Sequence, residues 1–158
     1  MKNVVLEYGE IEIAKSIGKA RYLVSRKNGV FDRLVGDGWE DPIQNDIDAF
    51  GAEVAYCKAF NLYPDLTLNL RSGGHDAIHG GRTVDVKHTP HVNGRLLVTK
   101  TKAHEPTQVY ALVTGRLPNY VIVGYANRDE IFTDNNLLDL GFGESYGLTQ
   151  DKLHEYNN

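Results

Sequence analysis

The stretch His75-Asp76-Ala77-Ile78-His79-Gly80-Gly81-Arg82-Thr83-Val84-Asp85-Val86-Lys87-His88-Thr89 decides how this chain is read. Gly80-Gly81 can supply the positive φ angles of a two-residue hairpin turn. Thr83 to Lys87 alternates with period two, which places Asp85 and Lys87 on one face of a strand and Val84 and Val86 on the other. A turn at 80 and 81 also sets the register, pairing His79 with Arg82, Ala77 with Val84 and Asp76 with Asp85. Two aspartates are therefore expected to face each other. Opposed side chains on a sheet sit about 4.5–5.5 Å apart at Cβ, and like charges there destabilise it unless something compensates. A hard divalent cation such as Mg²⁺ would do so, because it prefers oxygen ligands and is usually held by one or two carboxylates plus water and substrate phosphate. The Lys87 ammonium, on the same face, completes a set suited to phosphodiester hydrolysis. Taken alone, Asp-x-Lys on an exposed strand is more often a solvated face; the register-matched Asp76 is what raises it above that.

With 158 residues the chain is expected to form a single domain spanning 1–158, large enough for a real core. One cysteine, Cys57, excludes an internal disulfide framework and a multi-cysteine zinc site. No segment has the run of roughly 18 apolar residues of a membrane span, and an intracellular protein without membrane contact is expected. The net charge of −4 argues against a polyanionic partner, but residues 71–104 carry six Lys or Arg against two Asp. The hairpin region is basic within an acidic chain. From Asp129 onward seven acids face Lys152 alone, which suits a solvated or docking tail.

Ile11 to Lys27 reads as an amphipathic helix, with Ile13, Ile17, Ala20 and Val24 as its apolar stripe and Asn28-Gly29 as its stop. Its other faces carry Lys15, Lys19, Arg21 and Arg26. Residues 29–44, around Trp39, read as loop. Asn45 to Asn61 reads as a second, largely buried helix capped by Asn45 or Asp46. Glu53 sits in its middle, and the neighbours one turn away, Ala49, Phe50, Tyr56 and Cys57, cannot neutralise a carboxylate. Its partner must come from elsewhere: an arginine such as Arg71 or Arg82, or a cation shared with Asp76 and Asp85. Glu53, Asp76, Asp85 and Lys87 are expected to converge on one cation site; a Glu53 on the far side of the sheet from Asp85, or bonded to a distant arginine, would rule that out. Leu66 to Leu70 reads as a strand leading into the hairpin, Leu96 to Thr99 as a continuation of the sheet after the Asn93-Gly94 turn, and Val109–Thr114 and Tyr120–Ala126 as central strands. Short helices are expected near Asn136 and Gln150. The Gly-rich pieces lack the Gly-Lys-Ser/Thr ending of a phosphate loop.

With Glu53 on a helix, Asp76 on one strand and Asp85-Val86-Lys87 on the next, the chain resembles the PD-(D/E)XK nuclease superfamily, in particular small phage and restriction-type nucleases. Gly51-Ala52-Glu53 and Val123-Gly124-Tyr125-Ala126 add to the likeness, which covers about residues 45–126. His75 stands where a proline often precedes the first Asp, and Asp85 stands where Glu is commoner. The resemblance implies an α/β fold with a restriction-endonuclease-like αβββαβ core, a mixed central sheet flanked by helices. The second core helix of that pattern has no clear place in the sequence. It also implies Mg²⁺ or Mn²⁺ held by Asp76, Asp85 and the Val86 carbonyl, Glu53 supporting a second metal or an outer-shell water, and Lys87 acting on the attacking water and the phosphate. The implied activity is DNA hydrolysis in a bacterial or phage setting; an endonuclease is expected ahead of an exonuclease, and the sequence itself leaves both open. Arg82, Arg95, Lys100, Lys102 and Lys19 are candidates for contacts to DNA, and a homodimer is left open.

Two other readings stay in play. His75, His79 and His88 offer a zinc site, although they lie opposite Asp76, Asp85 and Lys87 on their strands. A non-catalytic nucleic-acid- or protein-binding module on the same fold would keep the architecture without turnover.

Overall fold

The computed structural model of the chain describes residues 1–29, 41–68, 74–141 and 143–156. Trp39, Arg71 and the end of the expected strand at Asn69-Leu70 lie outside them. In chain order the elements are β1 (Lys2–Val5), α1 (Tyr8–Lys27), α2 (Pro42–Ala59), β2 (Ala77–His79), β3 (Arg82–Thr89), β4 (Leu96–Thr99), β5 (Val109–Arg116), β6 (Asn119–Asn127), α3 (Arg128–Ile131), β7 (Leu137–Asp139) and β8 (Glu144–Leu148). Short 3₁₀ turns lie at Lys100–His104, Asp134–Asn136 and Gln150–Lys152, the last two where short helices were expected. No described helix is long and apolar enough to cross a membrane.

The hairpin forms in the expected register: Ala77 pairs with Val84, Ile78 with Thr83 and His79 with Arg82. Gly80 and Gly81 turn it with φ of 57° and 77°, values that side chains with a Cβ rarely adopt. The five-stranded sheet runs β1-β6-β5-β3-β2, with β3 and β5 parallel and the other pairs antiparallel. The chain is thus mixed α/β, with α1 and α2 layered on one sheet face. Phe50, Val54, Tyr56, Val84, Val86 and Ala111 form the core between them.

A second sheet, β4-β8-β7, covers the opposite face, where Tyr110, Leu112 and Val123 meet Leu96, Val98 and Leu148. This corrects two expectations. Leu96–Thr99 does not extend the main sheet but pairs with Glu144–Leu148, and one flank of the central sheet is a small sheet rather than a helix. The acidic segment from Asp129 is likewise no appendage, because it supplies β7 and β8. Between β5 and β6 there is only a turn, so no helix separates these two strands. Leu66 to Leu68 forms no strand.

Both helices start earlier than expected, for a local reason. Glu7 and Glu10 make a capping box, with the Glu7 amide donating to Glu10 Oε2 at 2.7 Å. Asp41 rather than Asn45 or Asp46 caps α2, accepting from the Ile43 amide at 3.0 Å, with Pro42 in the first turn. The buried stripe of α1 is also rotated from the expected one: Ala14 and Gly18 are buried, whereas Ile13 is 41% exposed. Small residues occupy the stripe because the helices cross there. A Cβ at Gly18 would lie 2.6 Å from Ile47 Cα, and one at Gly51 would lie 2.2 Å from the Tyr120 hydroxyl, which donates to the Asp48 carbonyl at 3.0 Å. Gly18 thus lets α1 touch α2, and Gly51 lets α2 touch the sheet.

Overpacking of this kind typically costs about 1–3 kcal/mol. Gly18→Val should therefore lower stability in urea denaturation by about 2 kcal/mol, while Gly9→Ala, on the same helix with open space around it, should not lower it. Equal stability of Gly18→Val and wild type would mean that the helices do not cross at this point.

Candidate active site at the edge of the sheet

Strand β2 is short, and the reason is a side chain. The Asp76 amide donates to the Val84 carbonyl at 2.8 Å, but the Val86 amide is satisfied by Asp76 Oδ2 at 2.7 Å. A carboxylate thus takes the place of the next strand residue. In an extended strand the N–H and C=O of one residue project to the same edge, so the Val86 carbonyl faces the same gap. Asp76, Val86 and Asp85 are gathered where the edge strand stops.

Asp85 is buried at 4% exposure, on the face carrying its β5 partner Tyr110. Its two oxygens each face an ammonium: Lys87 Nζ lies 2.5 Å from Oδ1 and Lys102 Nζ 3.7 Å from Oδ2. Lys102 also donates to Glu105 at 2.7 Å. Burial works against its charged form, but Glu105, Asp85 and Asp76 together raise its pKa. The segment carrying Lys102 and Glu105 is pinned by Arg128, whose guanidinium donates to the carbonyls of Ala103, Glu105 and Thr107. Thr107 in turn donates to the Gly74 carbonyl at 2.6 Å, tying that segment to the approach to Asp76.

Glu53 enters from the helix side, so it and Asp85 start on opposite faces of the sheet. It is bonded to an arginine, though neither of the two expected. Arg21 Nη1 donates to both carboxylate oxygens, at 3.0 and 2.8 Å. That pairing overturns the expected convergence of Glu53 with Asp76, Asp85 and Lys87 on one cation, because the Glu53 carboxylate is already held by a distant arginine. Arg71 lies outside the described residues, and Arg82 donates instead to Asn127 Oδ1 at 2.8 Å. The Glu53–Arg21 pair still belongs to the acid edge. Burial, then the charge of Asp76 and more weakly that of Asp85, push the Glu53 carboxyl well above the usual range, against the pull of Arg21. The same forces act on Asp76: burial first, then the Asp85 charge, raise its pKa from 3.8 to about 6, with the Val86 amide, Lys87 and Arg21 pulling the other way. Burial and the charges of Glu53 and Asp76 push the neighbouring Cys57 thiol up to about 12, which leaves it neutral.

Among the other candidates, Lys100 is paired with Glu144 at 2.5 Å, while Lys19 and Arg95 are exposed. His79 Nδ1 meets the Tyr56 hydroxyl and His88 Nε2 the Gly115 carbonyl, each at 2.8 Å, so these two histidines serve separate places. A groove of about 550 Å³ between Tyr63–Thr67 and His75–Ile78 opens on Asp76. Arg21 and Glu105 were not singled out from the sequence. The signal for Arg21 was present, since it lies one turn beyond Gly18 on the face that meets α2.

Among the described residues no group of three or more His, Cys, Asp or Glu side chains is arranged to hold a metal ion. Two carboxylates and one backbone carbonyl remain. That all-oxygen set suits Mg²⁺ or Mn²⁺, and the acids, Glu53, Asp76, Asp85 and Glu105, outnumber Arg21, Lys87 and Lys102 by one. No family model matches the chain, and neither the curated proteins nor the solved structures contain a match.

Because the pKa of Asp76 is raised on folding, ionising it costs folded-state stability as the pH climbs from about 4 to about 6. Asp76→Asn keeps an acceptor for the Val86 amide and removes that cost. At pH 7.5 without metal the variant should be more stable than wild type, by up to about 2–3 kcal/mol, and the advantage should shrink to roughly half by pH 5 and fade near pH 4. Mg²⁺ should raise the melting temperature of wild type and barely move the variant. Thermal melts in the four conditions check this, and equal metal responses would remove Asp76 from any cation site.

Proposed function

We propose that this chain is a metal-dependent nuclease that hydrolyses DNA phosphodiester bonds, endonucleolytically, at the edge formed by Asp76, Asp85, Val86 and Lys87. The observation that carries the reading is the Asp76 carboxylate on the Val86 amide. It brings a second, half-buried acid to the buried Asp85 and leaves a backbone carbonyl facing the same gap, with a lysine in contact. A sheet that needed only stability would not gather these groups, since each buried acid raises the cost of the next.

Asp76, Asp85 and the Val86 carbonyl would hold Mg²⁺ or Mn²⁺. When bound, such a cation acidifies water and neutralises phosphate oxygens. Lys87 lies in contact with Asp85 and two residues along the strand, so an ammonium released from that carboxylate stands beside the same gap. There it can orient an attacking water and stabilise charge growing on the phosphate. Arg128, by pinning the segment that carries Lys102, keeps a second ammonium near Asp85. The groove between Tyr63–Thr67 and His75–Ile78 gives a strand a way to Asp76.

The order helix with Glu53, Asp76 immediately before a short strand, turn, strand with Asp85-x-Lys87 supports a restriction-endonuclease-like core. The direct β5–β6 connection departs from its αβββαβ pattern. The second reading, a binding module without turnover, is favoured by one feature: Lys87 and Arg21 already neutralise Asp85 and Glu53 in the protein alone.

Incubating circular and linear DNA, single- and double-stranded, with Mg²⁺, Mn²⁺ or EDTA separates the two. Cleavage that EDTA stops is expected. Lys87→Ala should cut at least about 100-fold more slowly while keeping its fold and its metal-dependent rise in melting temperature, because lysine is not a metal ligand. Wild-type rates in Lys87→Ala would remove lysine from the mechanism, and intact DNA in every condition would leave the binding module.

A further inference from the structure

We infer that the acid edge takes a single divalent cation, and that Arg21 is its resident second cation, a positioning residue that holds Glu53 out of the metal's ligand set. The inference rests on the metal-dependent reading above and refines it, since the resemblance assigns Glu53 to a second metal or an outer-shell water.

Arg21 is firmly placed. Nη1 donates to both Glu53 oxygens, Nη2 donates to the Asp65 carbonyl at 2.7 Å and Nε to the Thr67 carbonyl at 3.3 Å. The guanidinium also lies over the Phe50 ring, 4.4 Å from its centroid, and Phe50 is itself buried in the core. Arginine keeps its charge at any working pH, and its planar fork matches a carboxylate. Its position is set by the fold, because Gly18 brings α1 against α2 one turn before Arg21 and Glu53 follows Gly51 on α2. A metal ion on Glu53 would have to displace the guanidinium or sit beside its positive charge.

Charge balance points the same way. Arg21 neutralises Glu53, and Lys102 is shared with Glu105. What stays for a metal is the Asp76 and Asp85 pair, whose two charges match one divalent ion once Lys87 turns to a phosphate. Arg21 therefore does in this site what a second ion would do: it supplies fixed positive charge beside Asp76.

Mn²⁺ titrations of the purified chain, read as the loss of the free-ion electron paramagnetic resonance signal and by calorimetry, test this. Wild type should bind one equivalent. Arg21→Gln frees the Glu53 carboxylate and should gain a second, weaker equivalent, an effect that a purely structural salt bridge would not produce. The double variant Arg21→Gln/Glu53→Gln, which removes both charges together, should return to one equivalent with a Kd within threefold of wild type. If Arg21→Gln fails to fold, Arg21→Met, which keeps the apolar stem over Phe50 and removes the charge, carries the same expectation of a second equivalent. Two equivalents in wild type, an unchanged single equivalent in Arg21→Gln, or a loss of affinity beyond tenfold in the double variant would overturn the inference while leaving the nuclease reading standing. No Mn²⁺ bound by wild type would sink both.

Discussion

The Val86 amide donates to a side chain where a sheet would ordinarily offer a neighbouring strand, and the rest of the site depends on that substitution. Backbone N–H groups in a protein interior must be satisfied, so whatever occupies this position is held in place by the sheet itself. Here the occupant is a carboxylate. It ends β2 after three residues, opens the edge of β3, and fixes Asp76 beside Asp85 at a distance where each charge acts on the other. Sheet geometry thus creates an electrostatic problem that the sheet cannot solve.

Its solution comes from the layers on either side. From the helix layer, the crossing of α1 and α2 at Gly18 delivers Arg21 to Glu53. From the other side, the segment before β5 delivers Lys102, held by Glu105 and pinned through its backbone by Arg128. Lys87 comes from β3. The three bases and four acids nearly balance, which lets a fold of this size carry a charged cluster in which Asp85 is buried and the others are half-buried. The remaining acid excess, concentrated on Asp76 and Asp85, is what a divalent cation would offset under the proposed reading. Such a site is costly to build, and the raised pKa of Asp76 is one measure of that cost.

The hairpin was legible from the sequence because a two-residue turn leaves only one register, which places Asp85 and Lys87 without knowledge of anything distant; the expected Asp76–Asp85 pair lies beyond the last ladder pair, Ala77 with Val84, and Asp76 instead caps the Val86 amide with its side chain. The two helices were legible for the same local reason, from periodicity. What sequence reasoning missed depends on contacts remote along the chain. Taking Ile13 as part of the buried stripe of α1 hid the Gly18 face, and with it Arg21 as the partner of Glu53. Strand β1 has only four residues and no alternation to mark it, and β4 finds its partner some 50 residues later in β8. The start of α2 carried a clear signal in Asp41-Pro42, which the reading of residues 29–44 as loop absorbed.

The claim that matters most is that the edge left open by Asp76 is a cation site. Crystals of the wild-type chain grown with Mn²⁺ and measured near the manganese absorption edge address it directly. The account predicts one anomalous peak per chain, in contact with the carboxylates of Asp76 and Asp85 and with the Val86 carbonyl, with Lys87 turned away from Asp85 and Arg21 still bonded to Glu53. A crystal with no peak at that edge, and Lys87 still bonded to Asp85, would contradict it.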